Sequence, residues 1–259
     1  STMPSTLTKG DSYNIINTYT TNNLSGSTVN CSSNLDTNKN ITNTNQLTTT
    51  GKHNITCTVK TGAGKTTTVT KNIEITYQAY TITNLITNGS FENGIDGCYG
   101  TCPNLSGIGQ GLYGNYSIIV NSSLGLGEIA AVPKNGCYLI QNHKYYSFLS
   151  VYIYSYTQGP FVALHISGLT AIILNAEQVN KSLQWQKVSG IGIAENSTGV
   201  YNDIRIGKSY NHQDVIWSSY FDGIAVIDLT ATFGSGNEPD KEWCDKHINY
   251  FDGTATIYM

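Results

Sequence analysis

Apolar residues alternate with Thr and Asn along several short runs of this chain, with the two-residue period of a strand that buries one face. Val29 and Cys31 share one parity, and Ile55, Cys57 and Val59 share another. Val69, Ile73 and Ile75 repeat the pattern, with Lys71 as its polar interruption. Between Val59 and Val69 the stretch Lys60-Thr61-Gly62-Ala63-Gly64-Lys65 supplies glycines that permit the positive φ of a hairpin turn. Gly64-Lys65-Thr66 resembles the end of a phosphate loop only superficially. The first glycine of that motif would have to stand at Val59, and no helical period follows.

Past Tyr80 tyrosines, tryptophans and Gly-rich turns replace the Thr- and Asn-dense segment, which predicts a boundary within 77–83 and domains at 1–78 and 79–259. Strand-like runs follow at 116–121, 138–156, 161–167, 171–175, 184–194, 203–207 and 221–229. Gly, Asn and Pro clusters separate them, which predicts a β-sandwich and not a βαβ fold. One segment reads as helical. In 237–248, Pro239 suits the first helical position, acidic residues crowd the first turn, and Trp243 and His247, then Cys244 and Ile248, fall four apart. About three turns docked on the sandwich are expected, then a last strand near 254–258. The predicted class is all-β, two sandwiches in tandem with one short C-terminal helix.

A length of 259 residues favours two cores over one. Charged residues make up 12% and the formal net charge is −3, with Arg205 as the single arginine. Such a chain has no cationic surface for phosphates, so a nucleic-acid partner is not expected. No apolar run approaches the roughly 20 residues that cross a bilayer. The Ser-Thr-rich start lacks the features of a signal peptide, so the chain reads as soluble, a mature or excised fragment with no membrane partner. There is no Gly-x-Ser-x-Gly elbow and no His-Glu-x-x-His helix, and Glu128, Glu177 and Glu195 are scattered over turns, so no enzymatic activity is expected.

The residues Val29-Asn30-Cys31-Ser32-Ser33 and Gly51-Lys52-His53-Asn54-Ile55-Thr56-Cys57-Thr58-Val59 resemble the hyalin-repeat type of immunoglobulin-like module. That resemblance implies a Cys31–Cys57 bridge across two sheets; two buried thiols are the alternative. Cys98 and Cys102 sit in a Gly-rich loop, where a local or Cys137-linked disulfide, free thiols, or a zinc site with Cys244 and His247 remain open.

The opening Asn84-Leu85-Ile86-Thr87-Asn88-Gly89-Ser90-Phe91-Glu92 is similar to the first strand of jelly-roll carbohydrate-binding modules found beside bacterial polysaccharide hydrolases. Gly114-Asn115-Tyr116-Ser117, Lys144-Tyr145-Tyr146-Ser147-Phe148, Trp185-Gln186-Lys187-Val188 and Phe221-Asp222-Gly223-Ile224 follow in that family's order. The resemblance implies a structural calcium ion held by Glu92 and Asp222, although Gly223 stands where the family often has another acid or amide. The ending Ile227-Asp228-Leu229-Thr230-Ala231-Thr232-Phe233-Gly234, with Asn237-Glu238-Pro239 and Trp243-Cys244, resembles minor tail and fibre proteins of phages that infect Gram-positive bacteria. It implies a fibre, spike or decoration subunit on the virion surface. Such a subunit would be a homo-oligomer contacting other virion proteins and host-surface glycan. A secreted carbohydrate-binding region of a wall-acting enzyme or adhesin, and a purely architectural self-assembling subunit, are the alternatives.

Sugar binding needs flat aromatic faces with hydrogen-bonding groups at their rim. Ser150, Tyr152, Tyr154 and Tyr156 share one parity, and Leu149, Val151 and Ile153 the other, which makes the better core. If the strands share a sheet, Tyr152, Tyr154, His165 and Arg205 converge on its open side. Trp185, at a strand start, reads as core, and Trp217 is left between an exposed loop and an interface.

Overall fold

The computed structural model describes residues 4–16, 26–37, 40–95, 104–105, 109–122, 128–130, 136–156, 162–166, 169, 183–201, 204–208 and 217–259. They fall into two compact units, residues 1–80 with 258–259, and residues 81–257. Strands dominate both, and the chain is all-β.

In the first unit β1 (Thr6–Thr8), β2 (Thr28–Ser33), β3 (Gly51–Lys60) and β4 (Thr66–Thr76) form one sheet in the order β1-β4-β3-β2. β1 runs parallel to β4 and the other pairs are antiparallel. The β3–β4 hairpin closes at 61–65, where the Thr61 N–H donates to Lys65 O at 2.8 Å and Gly64 takes a φ of +85°. His53, Ile55, Cys57 and Val59 are buried along β3 while Lys52, Asn54, Thr58 and Lys60 are exposed, as a period of two requires. Ile15, Ile41 and Leu47 come from outside the sheet and complete this core. A 3-10 turn at Thr44–Gln46 holds the last of these segments, with Gln46 Oε1 accepting from the Thr42 and Asn43 N–H groups at 2.7 and 3.0 Å. Val69 departs from expectation. It is 36% exposed although it pairs with Cys57, because the cluster that covers Cys57 does not extend to it.

Cys31 and Cys57 stand opposite each other in the β2–β3 register, with Cα atoms 4.0 Å apart, and are joined by a disulfide. The bridge therefore ties neighbouring strands of one sheet and does not cross between two, which corrects the arrangement implied by the hyalin-type resemblance. Directly opposed residues share a face and bring their Cβ atoms together, so register alone places these two sulfurs in reach.

The rest of the chain comprises β5 (Ala79–Thr83), β6 (Asn104–Leu105), β7 (Ile118–Ser122), β8 (Glu128–Ala130), β9 (Cys137–Leu139), β10 (Lys144–Tyr156), β11 (Val162–Ile166), β12 (Trp185–Ile193), β13 (Gly199–Tyr201), β14 (Ile204–Lys208), β15 (Trp217–Asp228), α1 (Leu229–Phe233), α2 (Lys241–His247) and β16 (Thr254–Tyr258), all within the second unit except the ends of β5 and β16 that lie at its border. A five-stranded sheet runs β12-β10-β15-β7-β6 and a three-stranded sheet β11-β14-β8, while β13 pairs with β9 and β16 with β5. Tyr145, Leu149, Val151 and Ile153 of β10 share one core with Val188, Phe221 and Val226 of the same sheet and with Leu164 and Ile166 of β11. Burial of one face from each sheet makes a sandwich.

The run at 138–156 is two strands. Asn142 takes a φ of +66°, and the His143 N–H donates to Ile140 O at 3.1 Å, closing a turn that asparagine tolerates better than most residues. Leu229 ends no strand but begins a helix, because the Asp228 carboxylate accepts from the Ala231 N–H at 2.8 Å. α1 was not anticipated; five residues are too few to display a helical period. α2 is shorter than expected and starts two residues after Pro239. Asp240 caps it, accepting from the Trp243 N–H at 2.8 Å. Cys244 and Ile248 form its buried stripe, while Trp243 and His247 stack outside at 4.4 Å. Trp217 opens β15. The run at 171–175 lies outside the described residues, as do Cys98 and Cys102. Among the described residues no helix is long and apolar enough to cross a membrane.

Cys137 and Cys244 are free and buried, so the Cys137-linked bridge is not formed, and burial pushes both thiols up to about 12. Native alkylation is expected to spare both. Unfolding without reductant should expose them to label and leave Cys31 and Cys57 unlabelled, read by intact mass and peptide mapping. Label on Cys31 and Cys57 under those conditions would overturn the bridge. Its reduction should cost the first unit about 3 kcal/mol, seen as a lower denaturation midpoint.

Candidate functional site

The register of β12, β10 and β15 arranges the outer face of the five-stranded sheet in rows. Tyr146 lies between Ile191 and Ile227, Phe148 between Ser189 and Ala225, Ser150 between Lys187 and Asp222, and Tyr152 between Trp185 and Tyr220. The first three rows are covered. Tyr146 and Phe148 have no exposed surface, so β10 is buried on both faces here, and not only on the aliphatic face expected to make the better core. Asp245 of α2 accepts from Tyr146 Oη at 2.8 Å and from Ser189 Oγ. Lys187 Nζ lies 4.4 Å from the Phe148 ring centre and donates to Ile248 O at 2.5 Å. Burial pushes that ammonium down to about 8, against the opposing pull of Asp245 and Cys244. Over the third row Ser150 Oγ donates to Tyr113 Oη at 3.3 Å. Gly223, at a φ of +63°, leaves the space that Tyr113 and Tyr250 occupy: a Cβ there would meet Tyr113 at 2.3 Å. The two rings pack at 4.6 Å.

The fourth row is open. Tyr152 lies 5.7 Å from Trp185 and 5.9 Å from Tyr220, with ring planes 57° and 59° apart. These rings, Tyr154 at the rim (63% exposed), and Gly109, Gln110 and Gly111 line a cleft of about 220 Å³. Trp185 is half-buried in the cleft wall and is not a core residue, because β12 stands at the end of the sheet among the described strands and its first residue lies past the cover.

Two acids hold the loop that carries Gln110. Asp222, fully buried, accepts from the Leu112 and Tyr113 N–H groups at 2.6 and 2.9 Å through Oδ2, and from the Gly223 N–H at 2.7 Å through Oδ1. Glu92 Oε1 accepts from the Tyr116 N–H at 2.7 Å, and its carboxyl packs where a Cβ on Gly114 would stand. Burial raises the Asp222 carboxyl to about 6; the three amides oppose the shift and the charge of Glu92 adds to it. Glu92 and Asp222 are the residues that would hold the calcium ion implied by the jelly-roll resemblance, but the donor set does not fit one. N–H groups point at both carboxylates with their positive ends, and a hard cation needs six to eight oxygens. Among the described residues no cluster of three or more His, Cys, Asp or Glu stands ready for a metal.

Of the four residues expected to form a groove, Tyr152 and Tyr154 line the cleft. His165 and Arg205 are paired positions in the β11–β14 register, in the three-stranded sheet, whereas β10 pairs with β12 and β15. The premise that these strands share a sheet fails because strand parity carries no information about pairing partners. Trp185, Tyr220 and Gln110 were missed. The first two have the parity of Tyr152 only once the register is known, and Gln110 stands in no strand pattern. The zinc site weighed for Cys244 and His247 is not assembled by these two, one buried beneath α2 and the other stacked on Trp243.

No family model matches the chain, and no curated protein matches it. Among solved structures, a chain from work described as "Structural basis for the promiscuous specificity of the carbohydrate-binding modules from the beta-sandwich super family" is 15% identical, with 90% of this chain and 82% of that chain covered and a TM-score of 0.23. A likeness that loose adds no weight to the geometry above.

The Asp222 shift sets a pH dependence. Between about 4 and 6 the folded state keeps a proton that the unfolded chain has released, so stability from this group is highest below that window and falls as pH rises through it. The full span corresponds to about 3 kcal/mol. The carboxyl carbon resonance of Asp222 should titrate with a midpoint near 6, and Asp222→Asn should flatten the slope. A midpoint near 4 would overturn the assignment. Chelation with EDTA should leave the melting temperature unchanged; a calcium-dependent rise would restore the metal.

Proposed function

We propose that the second unit is a non-catalytic glycan-binding module, holding sugar against the row of Trp185, Tyr152 and Tyr220, and that the chain is an extracellular, surface-displayed subunit of a bacteriophage particle. The open aromatic row on a sheet face otherwise sealed by the chain itself carries the first part. Indole and phenol faces take the apolar side of a pyranose, while Gln110 and the tyrosine hydroxyls meet its hydroxyl groups. The described residues lining the cleft offer no carboxylate, imidazole or thiol, which supports binding without bond cleavage.

The Cys31–Cys57 bridge supports an oxidising, extracellular setting. Similarity of the ending at 227–244 to phage tail and fibre proteins supports the virion part. That ending closes the sheet face: Asp228 caps α1, Thr230 Oγ1 donates to Glu238 at 2.8 Å, and α2 covers Tyr146. Other virion proteins and further copies of the chain are the expected partners. The same cleft would serve a secreted binding region of a wall-acting enzyme or adhesin. Native mass measurement separates the two readings, with a closed oligomer expected for the particle subunit and a monomer for the accessory region.

A glycan array should give hits for the intact chain. Trp185→Ala and Tyr152→Ala should each lower affinity by about tenfold with unchanged far-ultraviolet dichroism, and Arg205→Ala should have no effect. Absence of every hit, or loss confined to Arg205→Ala, would overturn the site.

A further inference from the structure

We infer that this cleft selects a single uncharged glycan chain, about two or three sugar units long, over an anionic wall polymer or a crystalline polysaccharide surface; this rests on the glycan-binding reading above.

The first ground is charge. The described side chains around the cleft are an indole, three phenols and the Gln110 carboxamide, with no ammonium, guanidinium or carboxylate among them. Among the described residues of these strands, Lys187 and Asp222 are the charged groups one row further in. Neither faces the cleft's ligand. Lys187 donates to Ile248 O and lies over Phe148 under the C-terminal cover, and Asp222 has no exposed surface and is occupied by three amides. Arg205, the single arginine, belongs to the three-stranded sheet. A phosphate or uronate entering the row would lose water without gaining a charged partner among the described residues, a cost that a neutral sugar does not incur.

The second ground is shape. Ring-to-ring steps of 5.7 and 5.9 Å are close to the repeat of one sugar in an extended chain, so three rings address consecutive residues. Neighbouring planes differ by 57° and 59°, so no flat surface lies against both members of either pair. One chain that turns between residues does. A cleft of about 220 Å³ has room for a short segment of it.

The test titrates the intact chain with array hits, with a glycerol-phosphate polymer, and with microcrystalline cellulose and chitin powders. Hits should be neutral, their affinity should change by less than about twofold between roughly 0.05 and 0.5 M NaCl, and Trp185→Ala should weaken them by about tenfold. Neither the glycerol-phosphate polymer nor the powders should retain the chain. Hits confined to phosphate- or uronate-bearing glycans, with affinity falling by about tenfold in salt, would overturn this inference and leave the glycan reading standing. Retention on either powder would overturn the single-chain part. Absence of any hit removes the glycan reading itself, and this inference with it.

Discussion

The Asp222 carboxylate has no exposed surface, yet it accepts from three backbone amides, and it lies on β15 two residues from Tyr220. One group thus fixes where the wall of the cleft stands relative to its aromatic floor. Hydrogen bonds to a charged acceptor contribute about 1.5–3 kcal/mol each, and taking the carboxylate out of water costs several. A carboxyl raised to about 6 reports the balance of those two large terms. Without the amides burial would raise the carboxyl further, and a neutral acid would hold the loop through fewer acceptors.

The same economy governs the rest of the outer face. Tyr146, Phe148 and Lys187 would make a broad, wet, aromatic strip continuous with Tyr152 if the chain ended at β15. The C-terminal segment covers them by polar as well as apolar means, Asp245 satisfying Tyr146 and Ser189, and the carbonyl of Ile248 satisfying Lys187. A half-buried ammonium lies over two aromatic rings and keeps hydrogen-bond acceptors in the carbonyls of Asp245 and Ile248. What remains uncovered is the fourth row, and its exposure is a consequence of where the cover stops.

Alternation made the strands legible. β3 and β12 lie close to where the apolar parity put them, and the hairpin glycines stand in the turn at 61–65. Signals that depend on a few residues were less legible. The α1 helix follows from an aspartate cap and five residues, and the turn at Asn142 from one left-handed residue. Neither spans enough chain to show a period.

Composition and local pattern determined that this chain is all-β, that its N-terminal segment is poor in aromatics, and that Tyr152 and Tyr154 share a face. Tertiary structure alone decided that Cys31 meets Cys57 within one sheet, that His165 and Arg205 belong to another sheet than Tyr152, and that Trp185 and Tyr220 flank it. The physical reason is that parity is a property of one strand, dictated by the alternation of its own side chains, whereas pairing and register are settled between strands by the packing of the whole core. A row of rings that crosses three strands is therefore written nowhere in the order of the residues that make it.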